Sequence, residues 1–179
     1  MYAGIDYSMS SPSITVGPSK DFKKCKTFFY TSKKKLEGVH QHHIYGILVQ
    51  PYEHEMERFS NITEWAMSIL RQFKVTEVCI ENYSMGSKGK VFHIAENTGL
   101  LKYTMWKNNI KYYTPAPTSV KKQFCGKGNA GKDIMHEAFV EQTKIDLTEV
   151  FHQKADSNPV SDIVDSYAML CYGIDNYFK

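Results

Sequence analysis

Apolar positions along this chain change period several times, and each change marks an element. Residues 2–7, Tyr2-Ala3-Gly4-Ile5-Asp6-Tyr7, read as a short apolar strand ending on a carboxylate. Residues 14–16 and 27–31 follow as β-branched and aromatic strands, separated by a small-residue turn at 8–12 and a lysine-rich turn at 17–26. These three strands form a hairpin meander, with the first central and the third near an edge. Residues 32–50, with His40, His42 and His43, read as a loop or irregular cap over the sheet. From 52 to 73 the period lengthens: Met56, Phe59, Ile62, Trp65, Ala66, Ile69 and Leu70 recur at helical spacing. A strand over 75–81 follows, and the helix before it is long enough for a crossover that sets it parallel beside the first strand. A polar loop leads into a second helix over 91–108. Its apolar face is Val91, Ile94, Thr98, Leu101 and Met105, widened by Phe92, Ala95 and Trp106. A helix apolar around so much of its circumference either packs under the sheet or meets a second subunit.

The C-terminal third is helical by the same reading. A short strand covers 110–113, and Pro115 and Pro117 precede a short helix with Val120 and Phe124 inward and Lys121 and Lys122 outward. Residues 132–140 read as helix, 144–158 are weakly patterned, and Pro159 opens a last helix over 160–177. No internal repeat or linker divides the chain, so a single domain over 1–179 is expected.

This pattern puts two acids, Asp6 and Glu81, at the carboxyl ends of adjacent strands, where ligand sites of open sheets lie. Asp162 and Asp165, three apart in the last helix, lie about 60° apart on one face. Acids in a first helical turn also suit the helix dipole, so that pair alone leaves a structural reading open. With the strand-end acids it points to a hard cation held by oxygen ligands, Mg²⁺ or Mn²⁺. Two such ions about 3.5–4 Å apart commonly drive phosphodiester hydrolysis. Asp6, on the central strand, is the expected bridging carboxylate.

Charge sharpens this picture. The net charge is only +3, but Lys20, Lys23, Lys24, Lys26, Lys33, Lys34 and Lys35 face only Asp21 and Glu37, and Lys111, Lys121, Lys122, Lys127 and Lys132 meet no acid until Asp133. Two basic regions suit a polyanion, and they equally suit solvated loops. Gly126 to Lys132 has the GxxxxGK spacing of a phosphate loop, but Asp133 stands where Ser or Thr should meet magnesium and a helix precedes it. No nucleotide cofactor is expected. The histidines match no zinc spacing. The 4 Cys include no CxxC pair, and Cys79 and Cys171 lie in apolar runs, as buried thiols do in a reducing compartment. With no leader and no membrane-length run, an intracellular soluble protein is expected.

Gly4-Ile5-Asp6, Ile80-Glu81-Asn82 and Asp162-Ile163-Val164-Asp165-Ser166-Tyr167-Ala168, in this order, resemble the RuvC family of Holliday-junction resolvases, within the ribonuclease H-like superfamily. Residues 118–124 and 128–132 resemble its basic helix and loop near the junction. The resemblance implies an α/β fold with a five-stranded mixed sheet, order 3-2-1-4-5, and helices on both faces. It implies a two-fold dimer, joined by the 91–106 helix, that nicks opposed strands of a four-way junction. Asp6, Glu81, Asp162 and Asp165 would hold two Mg²⁺ or Mn²⁺ ions, and Lys122 or Lys132 would assist charge stabilisation. Lys121, Lys122, Lys127 and Lys132, with Lys88, would follow bound phosphates, and Tyr83 or Phe92 would open the junction centre. After Asp6, Tyr7-Ser8-Met9-Ser10-Ser11-Pro12 replaces the family's Pro-Gly turn. That departure resembles phage or viral members, which would act in the host cytoplasm on several kinds of branched DNA. An RNA–DNA hybrid nuclease and a non-catalytic binder of branched DNA remain the alternatives.

Overall fold

The computed structural model describes residues 1–82 and 91–179. Its sheet has seven strands: β1 (Tyr2–Asp6), β2 (Ser13–Gly17), β3 (Lys26–Thr31), β4 (Gly38–His40), β5 (Ile44–Leu48), β6 (Glu77–Ile80) and β7 (Lys111–Tyr113), in the order β4-β5-β3-β2-β1-β6-β7. The helices are α1 (Glu55–Gln72), α2 (Val91–Lys107), α3 (Pro117–Cys125), α4 (Lys132–Thr143), α5 (Leu147–Phe151) and α6 (Val160–Asn176).

Five of these strands, β3-β2-β1-β6-β7, keep the expected order, but the expected count of five is too low. The stretch read as an irregular cap supplies β4 and β5. β5 pairs parallel with β3, so β3 is interior and β4 forms the edge. The meander β1-β2-β3 is antiparallel, and β6 lies parallel to β1 across the α1 crossover. Consequently β1, β3, β5, β6 and β7 all point their carboxyl ends the same way.

Strand alternation sorts side chains onto two cores. Ala3, Ile5, Val78 and Ile80 face α1 and α2, where Ile62, Leu70, Leu101 and Met105 complete one core. Cys79 and Phe29 face the other layer, built on Val120, Phe124, Phe139, Ile163, Val164 and Tyr167 of α3, α4 and α6. Gly4 and Asp6 share that second face. A Cβ on Gly4 would lie 2.1 Å from Ser166 O and Leu170 N, so only glycine lets α6 approach β1 this closely. Ser166 Oγ hydrogen-bonds Thr15 at 2.8 Å and Ser13 at 3.1 Å, fixing the rotation of α6. The residues one turn earlier on α6 are thereby carried over the end of β1.

One expectation about α2 is overturned. Thr98, Leu101 and Met105, expected to meet a second subunit, are buried against this chain's own α1 and sheet, with Val91 and Ile94 half-buried beside them. Helical periodicity identifies residues that share a face but not what covers it. The outward apolar groups of α2 are Phe92 (81% exposed), Trp106 (68%) and Tyr103 (53%).

Candidate active site

Asp6 and Glu81 end neighbouring parallel strands. Ile5 pairs with Ile80, and Glu81 N extends the ladder to Ile5 O at 3.2 Å. Adjacent strands run about 4.8 Å apart, and alternation turns both carboxylates toward α6. Asp162 and Asp165, in the first turns of α6, lie near enough to act on Asp6 electrostatically. The four groups feel one another. Burial, then Asp162, Glu81 and Asp165, push the Asp6 carboxyl well above the usual range, and Lys132 offsets part of this. Burial and Asp165 raise Glu81 to about 7, against the pull of Lys132 and Lys121. Burial raises Asp162 to about 6, with Ser11 and Lys132 pulling it back and Asp165 pushing it up.

The cations are as specific as the acids. Lys132 Nζ, from the first residue of α4, sits on Asp165 Oδ2. Burial acts against its charge, yet Asp165, Asp6 and Asp162 leave the ammonium held above its ordinary range. Lys121 Nζ donates to Ala130 O at 3.0 Å, tying α3 to the loop before α4. Of the two lysines expected to assist charge, Lys132 is in the pocket, whereas Lys122 is exposed on α3 and Lys121 takes the position facing Glu81. One residue on a helix is a rotation of about 100°, enough to exchange those roles. Lys127 is exposed on the 126–131 loop. That loop follows a helix, so the strand that a phosphate loop requires is missing there. Tyr83 and Lys88 lie outside the described residues.

Sequence reasoning missed the groups around the acids. Ser161 Oγ lies 3.5 Å from Asp162 Oδ1. Arg58 Nη2 donates to Met9 O at 2.7 Å and pins the turn after Asp6. The position of Ser161 directly before Asp162 was the available signal for the former; nothing in the α1 pattern singled out Arg58.

Asp162 Oδ2 is buried and has no hydrogen-bond partner. A buried carboxylate oxygen without a donor is costly, and a cation relieves that cost. Among the described residues no three His, Cys, Asp or Glu are gathered tightly enough to hold an ion as they stand. Lys132 instead supplies positive charge at Asp165. The donor set is all oxygen, and its unmet negative charge fits a hard divalent cation.

The family described as Crossover junction endodeoxyribonuclease RuvC matches residues 34–168, a span that includes Glu81, Asp162 and Asp165 but not Asp6. A crossover junction endodeoxyribonuclease RuvC of Brachyspira hyodysenteriae is 26% identical over 125 residues, covering 68% of this chain and 76% of that protein. Thermus thermophilus RuvC in complex with a Holliday junction substrate superposes with a TM-score of 0.66 at 15% identity, over 97% of this chain and 92% of that one. The yeast mitochondrial Holliday junction resolvase Ydc2 superposes with a TM-score of 0.55 at 15% identity, over 95% and 75% respectively.

Proposed function

The chain belongs to the RuvC family of crossover junction endodeoxyribonucleases, and on that premise we propose that it resolves four-way DNA junctions by metal-dependent phosphodiester hydrolysis. Residues 1–179 act as one domain. The observation that carries the reading is the convergence of Asp6, Glu81, Asp162 and Asp165, with one oxygen of Asp162 left without a donor. These four would hold two Mg²⁺ or Mn²⁺ ions, with Asp6 on the central strand the carboxylate nearest all the others. Bound ions supply the charge that favours attack of water on the phosphodiester and departure of the 3′ oxygen. Lys132 pairs with Asp165 and holds it in the pocket, and its ammonium balances charge beside the scissile phosphate. Lys121, Lys122 and Lys127 bind flanking phosphates. The replacement of the family's Pro-Gly turn by residues 7–12 is the ground for proposing a phage-type member acting in its host's cytoplasm.

A dimer makes the paired nicks, and the exposed face of α2 is its contact. Leu101 is core, so a polar residue there unfolds the chain. Trp106→Asp should instead leave the fold intact and convert dimers to monomers by sedimentation; dimers persisting in that variant would reject the contact.

Cleavage assays with a four-way junction, a flap, linear duplex and an RNA–DNA hybrid, each with Mg²⁺ or with chelator, test the function. Symmetric paired nicks confined to the junction are expected. Preferential cutting of the hybrid would move the chain to the alternative nuclease reading, and binding without metal-dependent cutting would leave a junction-binding protein.

A further inference from the structure

The lysine run near the N-terminus is divided by β3 between the two ends of the sheet. Lys20, Lys23 and Lys24 precede that strand, at the end away from the acids. Lys20 Nζ pairs with Asp175 at 2.7 Å and Lys24 with Asp21 at 3.6 Å, and Lys26 lies over the Phe73 ring. Lys33, Lys34 and Lys35 follow the strand. Because Ser13 of β2 pairs with both Asp6 and Phe29, the carboxyl end of β3 lies at the same end as Asp6. These three lysines are exposed, and among the described residues none pairs with a carboxylate.

Their mounting is firm. Lys34 begins a single 3-10 turn whose last residue, Leu36, is buried in the α6-side core. A Cβ on Gly46 of β5 would lie 1.8 Å from Leu36 O, so the turn lies directly against the added strand. The imidazole Nε2 of His40, on β4, is 3.0 Å from the same Leu36 carbonyl, and its ring packs on Phe151. Lys33 Nζ reaches Asn158 O at 3.5 Å, in the segment that enters α6 one turn before Asp162. The β4-β5 addition thus holds a basic turn that leaves β3, two strands from β1, and lies against β5, three strands from β1, about 10–15 Å across the sheet from Asp6, on the side opposite Lys121 and Lys132.

We propose that Lys33, Lys34 and Lys35 form a second phosphate-binding rim that holds a duplex arm of the substrate across the acid pocket from the α3–α4 lysines. This rests on the branched-DNA reading above. A pocket of four carboxylates repels a phosphate backbone, so cations on both flanks let one duplex cross it. The rim follows backbone charge and carries no base preference.

The test is junction binding in Ca²⁺ across a salt series, comparing wild type with Lys33→Ala/Lys34→Ala/Lys35→Ala, with the double variant Lys34→Ala/Lys35→Ala that spares the Asn158 contact, and with Lys20→Ala/Lys23→Ala/Lys24→Ala. The rim triple variant should weaken binding by about tenfold to a few hundredfold near 0.1 M salt and reduce the salt slope by about 2–3; the double should reduce it by about 2. The opposite-end triple should leave both unchanged. An unaltered slope in both rim variants, with Lys121→Ala/Lys127→Ala still reducing it, overturns the rim and leaves the nuclease reading standing. A wild type that binds no junction at low salt removes both.

Discussion

Glu77 and Asp162 are buried to the same degree, 5% exposed each, at opposite ends of the sheet. Glu77 Oε1 accepts from the Tyr113 hydroxyl at 3.1 Å, and Oε2 accepts from Lys179 N at 2.9 Å. Asp162 meets only serine hydroxyls, Ser161 at 3.5 Å and Ser11, and its Oδ2 has no well-formed hydrogen bond. Asp175, near the end of α6, is answered in the same way: Lys20 meets one oxygen, and Gln123 donates to the other at 2.9 Å. Around Asp162, three further carboxylates compete for the charge of Lys132. Equal burial therefore carries opposite meanings. One carboxylate ties the chain's last residue to the sheet, and the other is held ionised at a cost that a bound cation relieves.

The largest expected effect is on catalysis. Asp6→Asn should drop junction cleavage to background while gel-shift affinity for the junction stays near wild type; cleavage at a similar rate would place the reaction elsewhere. The next effect concerns stability, and its sign differs between the two ends. Without metal at pH 8, Asp162→Asn should stabilise the fold by about 1–3 kcal/mol in urea titrations, since it removes a raised carboxyl. Glu77→Ala should destabilise it by about 1–3 kcal/mol, because Tyr113 and Lys179 lose their acceptor. The same sign for both would erase the distinction.

The pH dependence follows from the same groups. Asp6, Glu81 and Asp162 hold protons more tightly folded than unfolded, the latter two rising to about 7 and about 6. The folded state binds more protons above the unfolded carboxylate range, so their contribution is fully present below about pH 4 and is lost as pH rises through about 6 and 7. Metal-free melting temperature should therefore fall across that window, and Asp162→Asn should flatten the fall. The smallest effect is Lys20→Ala, an exposed pair with Asp175, which should cost less than about 1 kcal/mol and leave DNA binding unaltered.

Much of this was legible before any coordinates. Five strands and the main helices follow from period, because their apolar faces are long and regular. The four acids were legible because strand ends and a helix face project carboxylates in known directions. β4 and β5 were not: Gly38–His40 spans three residues, and His42 and His43 adopt left-handed backbone that no propensity signals. Which face of α2 is covered by its own chain escaped because apolar residues lie around much of the helix, so Leu101 and Trp106 look alike in sequence. Lys121 and Lys122 differ by one position, a rotation of about 100° on α3, and how far Val120 and Phe124 turn that helix inward settles which of them lies toward Glu81.

The central claim is that four carboxylates from β1, β6 and α6 form one site for hard divalent ions. Calorimetric titration of the metal-free protein with Mn²⁺ tests it most directly. Saturable binding at pH 8 is predicted, with proton release that grows as pH is lowered toward 7 and affinity that declines through about 7 and 6, and with binding lost in Asp6→Asn. No saturable heat, or binding that is indifferent to both pH and Asp6→Asn, would contradict the account.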